Sequence, residues 1–143
     1  MVDMSKWQQI ARENIHNRPA GEGRLAGKAA IVTGAAQGFG KGIAEELYAE
    51  GAAVVIADLN LPGAQAVAAA LGSRALAVEV NVTDEESVAA MVGRTVEAFG
   101  GVDLLVSNAG VAKAGNLMQM EKQTFDFVTG INYAGYFLCA KYA

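Results

Sequence analysis

The segment from Lys28 to Gly42, KAAIVTGAAQGFGKG, constrains the fold more than any other part of the chain. A short apolar run, Ala29 to Val32, enters three glycines, Gly34, Gly38 and Gly40. It leaves into Ile43, Ala44, Leu47 and Tyr48, which recur at helical spacing. This is the pattern of a strand, a glycine turn and a helix. The backbone of such a turn can approach a pyrophosphate, because a Cβ at Gly34 or Gly38 would clash or forbid the required angles. The free N–H groups of the helix's first turn would face the phosphates, where the helix dipole favours negative charge. The spacing G-x-x-x-G-x-G differs from the general G-x-G-x-x-G fingerprint, and glycine turns also serve purely structural ends. A second apolar run, Ala53 to Ala57, ends in Asp58, eighteen residues after Gly40. There an acidic side chain can accept hydrogen bonds from an adenosine ribose.

At 143 residues the chain has the length of one domain. Its 52% hydrophobic and 18% charged content, with only two prolines, predicts a globular protein and not a disordered one. A net charge of −4 with no Lys/Arg cluster argues against nucleic acid as a partner. The single cysteine, Cys139, cannot form an internal disulfide, and no signal pattern opens the chain, so a reducing cytoplasm is the expected compartment. No apolar run approaches the roughly 18 residues of a membrane span, and a soluble protein is expected. His16 has no Cys, Asp or second His at ligand spacing, so no metal site is expected.

Residues 1–24 read as an N-terminal extension, polar and loosely ordered, in which Ser5 would cap a short helix carrying Trp7, Ile10 and Ala11 on one face. Residues 25–143 read as the nucleotide-binding domain. After the first strand a helix is predicted over Gly38–Glu50, with Gly51 at its end. Asn60 and Pro62 open an alanine-rich helix carrying Ala64, Val67, Ala68 and Leu71 on one face, and Ala75–Val80 is a third strand. Thr83 and Glu86 have capping-box spacing before a helix striped by Val88, Met91, Val92, Thr95, Val96 and Phe99. Gly100 and Gly101 end it. Val102–Ser107 is a fourth strand, Glu121–Gly130 a further helix, and Asn132–Ala143 an apolar run with no terminating signal. Connections too long for hairpins call for right-handed crossovers and a parallel sheet covered on both faces. The predicted class is therefore α/β, a Rossmann-type doubly wound parallel sheet.

Taken in order, Thr33 to Gly40, Asp58, Asn81-Val82, Ser107 to Gly110 and Asn132 resemble the short-chain dehydrogenase/reductase family, from about Leu25 to Ala143. Within it, GVDLLVSNAGVAKAGNL and INYAGYFLCAKYA are most similar to the bacterial sorbitol-6-phosphate dehydrogenases. The resemblance implies a sheet of order 3-2-1-4-5-6-7, of which this chain would hold the first four strands and their helices, truncated on the C-terminal side. It implies that Gly34, Gly38 and Gly40, with Gln37 and Phe39 between them, line the pyrophosphate of NAD. Asp58 would take the ribose hydroxyls with Leu59 beside it, and Asn81 and Val82 would flank the adenine. Asn108, Ala109 and Gly110 would pack on the cofactor, and Asn132 would support a catalytic proton relay.

Three departures from the family pattern stand out. Asn81 replaces the usual Asp, and its amide oxygen is expected to accept from the adenine amino group. Phe39 replaces an aliphatic residue and would narrow the turn. The catalytic Ser and the Tyr-x-x-x-Lys pair are absent: Phe137 follows Tyr133 by four residues, and Ala140 follows Tyr136 by four. The resemblance implies an NAD-dependent enzyme oxidising a small alcohol, polyol or sugar phosphate, a homo-oligomer at full length, of which this chain holds the cofactor-binding half. Lys113, after the Asn-Ala-Gly turn, either meets a substrate phosphate or is a solvated loop residue. Two alternatives are a nucleotide-binding module without catalysis and a methyltransferase. The Asn-Ala-Gly turn and Asn132 speak against the second.

Overall fold

In the computed structural model, which describes residues 3–143, four parallel strands lie in the order β3-β2-β1-β4. They are β1 (Ala29–Thr33), β2 (Ala53–Asp58), β3 (Ala75–Glu79) and β4 (Leu104–Val106). Strand β1 is central, pairing Ile31 with Val55 on one side and with Leu105 on the other. Every residue of β1 is buried, as the apolar run required.

Alternate residues of the strands serve two cores. Ile31, Val55 and Val78 face helices α4 (Glu85–Phe99) and α6 (Gly135–Tyr142). Val32, Val54 and Ile56 face α2 (Gly38–Ala49) and α3 (Leu61–Leu71). The crossovers thus cover both sheet faces, the doubly wound arrangement the sequence predicts. β4 is shorter than expected and only half-buried, since no strand pairs with its outer edge.

Two helix starts differ from expectation. Ser5 is the first residue of α1 (Ser5–Asn14), and its backbone N–H donates to Asp3 Oδ1 at 2.9 Å, so the carboxylate two residues earlier does the capping. At α4 the cap is Asp84, whose Oδ1 accepts from Ser87 N–H at 2.9 Å. The Thr83–Glu86 capping box does not form, because Thr83 bonds to Asn81 instead. Asn60 caps α3 as read, accepting from Gly63 N–H at 3.2 Å.

The N-terminal extension does not lie loose. Met4, just before α1, and Trp7, Ile10 and Ala11 within it pack against the core beneath α4. Trp7 sits directly on Gly93, where any Cβ would run into the indole ring. That contact explains a glycine in a helix interior, which costs about 1 kcal/mol relative to alanine. Farther on, Arg18 pairs with Asp103, which also accepts from Ala29 N–H at 2.9 Å, and Arg24 pairs with Glu50 at 2.8 Å. The extension is strapped to the edge of the sheet where the strands begin.

Helices α5 (Lys122–Thr129) and α6 run as one rod through a π-helical turn over Gly130–Ala134. At the far end of α6, Lys141 and the Tyr142 hydroxyl both bond to Glu85 at the start of α4. The Lys141 ammonium, then the Tyr142 hydroxyl, hold the Glu85 carboxyl below the usual carboxylate range. A lowered carboxyl pKa stabilises the fold above its unfolded value, and the contribution is lost as pH falls through the folded value. Wild-type protein is therefore expected to lose more of its Tm on acidification through the carboxylate range than Glu85→Gln does. Thermal melts at stepped pH measure this, and parallel curves would contradict it.

Candidate functional site

The site lies where the carboxyl ends of all four strands open into one cleft of about 450 Å³. Its floor is built by a hydrogen-bonded clasp between β1 and β4. Thr33, wholly buried, accepts through its hydroxyl from Asn108 N–H at 3.1 Å and Ala109 N–H at 3.0 Å. The Asn108 amide then donates to the carbonyl oxygens of Thr33 at 3.0 Å and Gly34 at 3.2 Å. A hydroxyl has two acceptor sites, and both are used here. Sequence reasoning placed Thr33 inside the motif without assigning it a role. Its signal is a hydroxyl in an otherwise apolar buried strand.

The glycines have separate duties. Gly34 (φ +66°) lines the cleft, and a Cβ there would lie 2.9 Å from Ala109 Cα. Gly38 (φ +59°) also lines it, but a Cβ at Gly38 would meet no protein atom within 4 Å. Gly40 does not line the cleft. It is buried, and a Cβ on it would run into the Gly34 carbonyl, so its role is to let α2 pack against the turn. What remains of its expected place beside the phosphates is its backbone N–H, one of the unpartnered donors in the first turn of α2.

Asn60 and Asp84 cap α3 and α4 with their side chains, whereas Gln37 at the start of α2 makes no such bond. Since the first N–H groups of a helix have no partner within it, α2 presents uncapped donors and the positive end of its dipole to the cleft. Gln37 and Phe39 line this part. Phe39 is 90% exposed, so it stands out at the lip and does not narrow the turn.

Asp58 is held by two backbone donors, Ala36 N–H to Oδ2 and Asn60 N–H to Oδ1, each at 2.9 Å. Each oxygen keeps a lone-pair direction for a ligand hydroxyl. Leu59, 69% exposed, adjoins it on the cleft wall. Asn81 and Val82 line the β3 end, and Asn108, Ala109 and Gly110 the β4 end. Val80, Val111 and Ile131, which sequence reasoning did not single out, complete the wall. No lysine or arginine is among the described residues lining the cleft.

Two of the expected site residues have their side chains engaged within the protein. The Asn81 amide oxygen is already committed, accepting from Thr83 N–H at 3.0 Å and from the Thr83 hydroxyl at 2.8 Å. It does not face the cleft as a free acceptor. Asn132 does not line the cleft. Its amide accepts from Val111 N–H and donates to the Val111 carbonyl, both at 2.8 Å, tying the π-turn to the segment after β4. π-Turns often mark functional sites. Here the turn places Ile131 on the cleft wall while the Asn132 side chain acts as a strap. Lys113 is exposed and outside the cleft. Cys139 is fully buried, and burial raises its thiol pKa, which disfavours the nucleophilic thiolate.

Fold and site together define a Rossmann-type α/β unit with its cleft at the carboxyl ends of the strands, where open α/β sheets bind ligands. Residues 28–143 match the short chain dehydrogenase family, and the chain belongs to it. A sorbitol dehydrogenase of Cereibacter sphaeroides is 38% identical over 112 residues, covering 78% of this chain and 44% of the relative. A galactitol 2-dehydrogenase of Agrobacterium fabrum is 41% identical, with the same two coverages. Among solved structures, a 3-ketoacyl-(acyl-carrier-protein) reductase from Brucella melitensis complexed with NADH superposes with a TM-score of 0.79 at 42% identity. That match covers 82% of this chain and 49% of the other. The chain thus spans about half the length of these relatives.

The clasp and the turn respond to mutation differently. Thr33→Val keeps shape but strands the Ala109 N–H, at about 1–3 kcal/mol, whereas the Asn108 N–H keeps the Val106 carbonyl at 3.0 Å. Denaturant unfolding should show a loss of about 1–3 kcal/mol, and a loss under about 0.5 kcal/mol would contradict the clasp. Gly38→Ala should cost about 1–2 kcal/mol, the strain of a left-handed alanine, with the fold kept. Gly40→Ala, which meets backbone, should unfold the turn. Equal Tm shifts for the two glycine variants would contradict this division of roles.

Proposed function

We propose that the chain is the NAD-binding half of an oxidoreductase that moves a hydride between NAD and a small alcohol or ketone. The observation that carries the reading is the uncapped start of α2, with the open position at Gly38, facing the same cleft as the doubly anchored Asp58. The residues fit a dinucleotide. Backbone donors at Gly38 to Gly40 meet the pyrophosphate, Asp58 accepts from the adenosine ribose, and the apolar wall of Val82, Ala109 and Ile131 excludes water. The nicotinamide supplies the hydride acceptor when bound. The chain's own work is to hold and orient.

NAD is preferred over NADP because a 2′-phosphate would meet the Asp58 carboxylate with no Lys or Arg in the cleft to offset it. The names of the sorbitol and galactitol dehydrogenases support a polyol as substrate. A sugar phosphate is the narrower reading, with Lys113 the one cation in the segment 111–116 to meet it. The full-length protein is read as a cytoplasmic homo-oligomer, the state the family resemblance implies. Tyr133, Tyr136 and Phe137, all more than half exposed, and the open edge of β4 form an apolar surface that a partner would cover.

Catalysis is not expected of this chain alone. It carries no Tyr-x-x-x-Lys pair, and Asn132 is engaged with Val111. Loss of a positioned acid/base removes on the order of 10² to 10⁴ in rate. Calorimetry should find NADP binding about tenfold or more weaker than NAD, about 1.4 kcal/mol, with the gap narrowed in Asp58→Ala. Equal affinities would sink the Asp58 assignment. A panel of polyols, sugar phosphates and ketones should give no turnover. Turnover would mean that one of Tyr133, Tyr136 or Tyr142 donates the proton.

A further inference from the structure

Asn81 sits at the mouth of the cleft just past β3, in a fixed orientation. A backbone N–H can only donate, so the amide atom 3.0 Å from Thr83 N is the oxygen, and the same oxygen accepts from the Thr83 hydroxyl at 2.8 Å. An amide oxygen has two lone pairs, and both are engaged. Turning the amide over would set its NH2 against the Thr83 N–H, donor against donor. The backbone is held as firmly. Asn81 N–H donates to Ser87 Oγ at 3.0 Å, the Asn81 carbonyl accepts from Asp84 N–H at 3.0 Å, and Ser87 N–H is bound to the Asp84 cap. What Asn81 has left to offer a ligand is its NH2 group, which has no partner among the described residues.

The ligand group that meets it follows from topology. Phosphates belong at the start of α2, next to β1, and the ribose at Asp58, the last residue of β2. β3 is the neighbour of β2, with Asp58 in register with Glu79. A base attached to that ribose, on the side away from the phosphates, therefore reaches the end of β3. We propose that Asn81 makes this base subsite present a hydrogen-bond donor. It would take a purine through an acceptor, a ring nitrogen or a 6-oxo group, and would not select for the 6-amino group of adenine. This rests on the dinucleotide reading above and refines it. An aspartate at 81 would behave oppositely: one oxygen could stay with Thr83 while the other offered an acceptor to the amino group and repelled an oxo group.

The test compares NAD with nicotinamide hypoxanthine dinucleotide, in which the amino group is replaced by oxygen. Calorimetry on the wild-type chain should give dissociation constants within about threefold of each other, or favour hypoxanthine. In Asn81→Asp the ratio should move toward NAD by about tenfold or more, the scale of one hydrogen bond to a charged group. A tenfold wild-type preference for NAD would overturn the inference, and that ratio decides the matter even where the variant does not fold. The same ratio in both folded proteins would also overturn it, since the base would then not meet residue 81. Binding of NAD with adenine preference removes only this inference, whereas a folded wild-type chain that binds neither dinucleotide overturns the dinucleotide reading as well.

Discussion

The constraint on which the site depends is the buried hydroxyl of Thr33. In a central strand whose other members are alanine, isoleucine and valine, it is the one polar side chain, and it cannot be left unpaired at full burial. Its two acceptor sites receive the N–H groups of Asn108 and Ala109, which have left the ladder where β4 ends after three residues. Asn108 returns the bond to Thr33 and Gly34 carbonyls. The glycine turn and the end of β4 are thereby one rigid unit. The cleft is the space between that unit and the ends of β2 and β3.

The rest of the molecule holds this unit from outside. Asp58 ties the turn to the end of β2 through Ala36, so the acidic group is positioned by the turn it serves. Asn132 ties the π-turn to Val111 and brings Ile131 to the wall. At the opposite end of the strands, Asp103 gathers Arg18, Lys28 and the Ala29 N–H, which fixes where β1 begins. These bonds differ in worth. Surface pairs such as Lys6 with Glu97 contribute little, because water screens them, while the partly enclosed Asp103 cluster also satisfies a backbone donor.

Much of the fold was legible in the sequence because its signals are local. Apolar runs of five or six residues, Asn60 before Pro62, and Gly100 in the left-handed region at the end of α4 all act within a turn of where they are read. The parallel order followed from the length of the connections. What escaped depends on contacts distant in sequence. Nothing local distinguishes Gly40, a packing glycine, from Gly38, an open one, until α2 lies against Gly34. Gly93 is unremarkable until Trp7 arrives from α1. Thr83 and Asp84 both could cap α4, and the choice turned on Asn81 capturing Thr83. The same capture reversed the polarity expected of Asn81. The π-turn has no pattern of its own and reflects Asn132 reaching Val111.

The central claim is that a dinucleotide lies across the carboxyl ends of β1, β2 and β3 with its phosphates on the first turn of α2. Backbone amide NMR of the labelled chain, titrated with NAD, tests it most directly. The account predicts that the largest shifts fall on Gly34, Gly38, Phe39 and Gly40, with further shifts at Leu59, Val82 and Ala109. The amides of α1 and of the strand beginnings should stay unmoved. Saturating NAD that leaves the Gly38 to Gly40 amides in place, or that shifts α1 and Tyr142 instead, would contradict it.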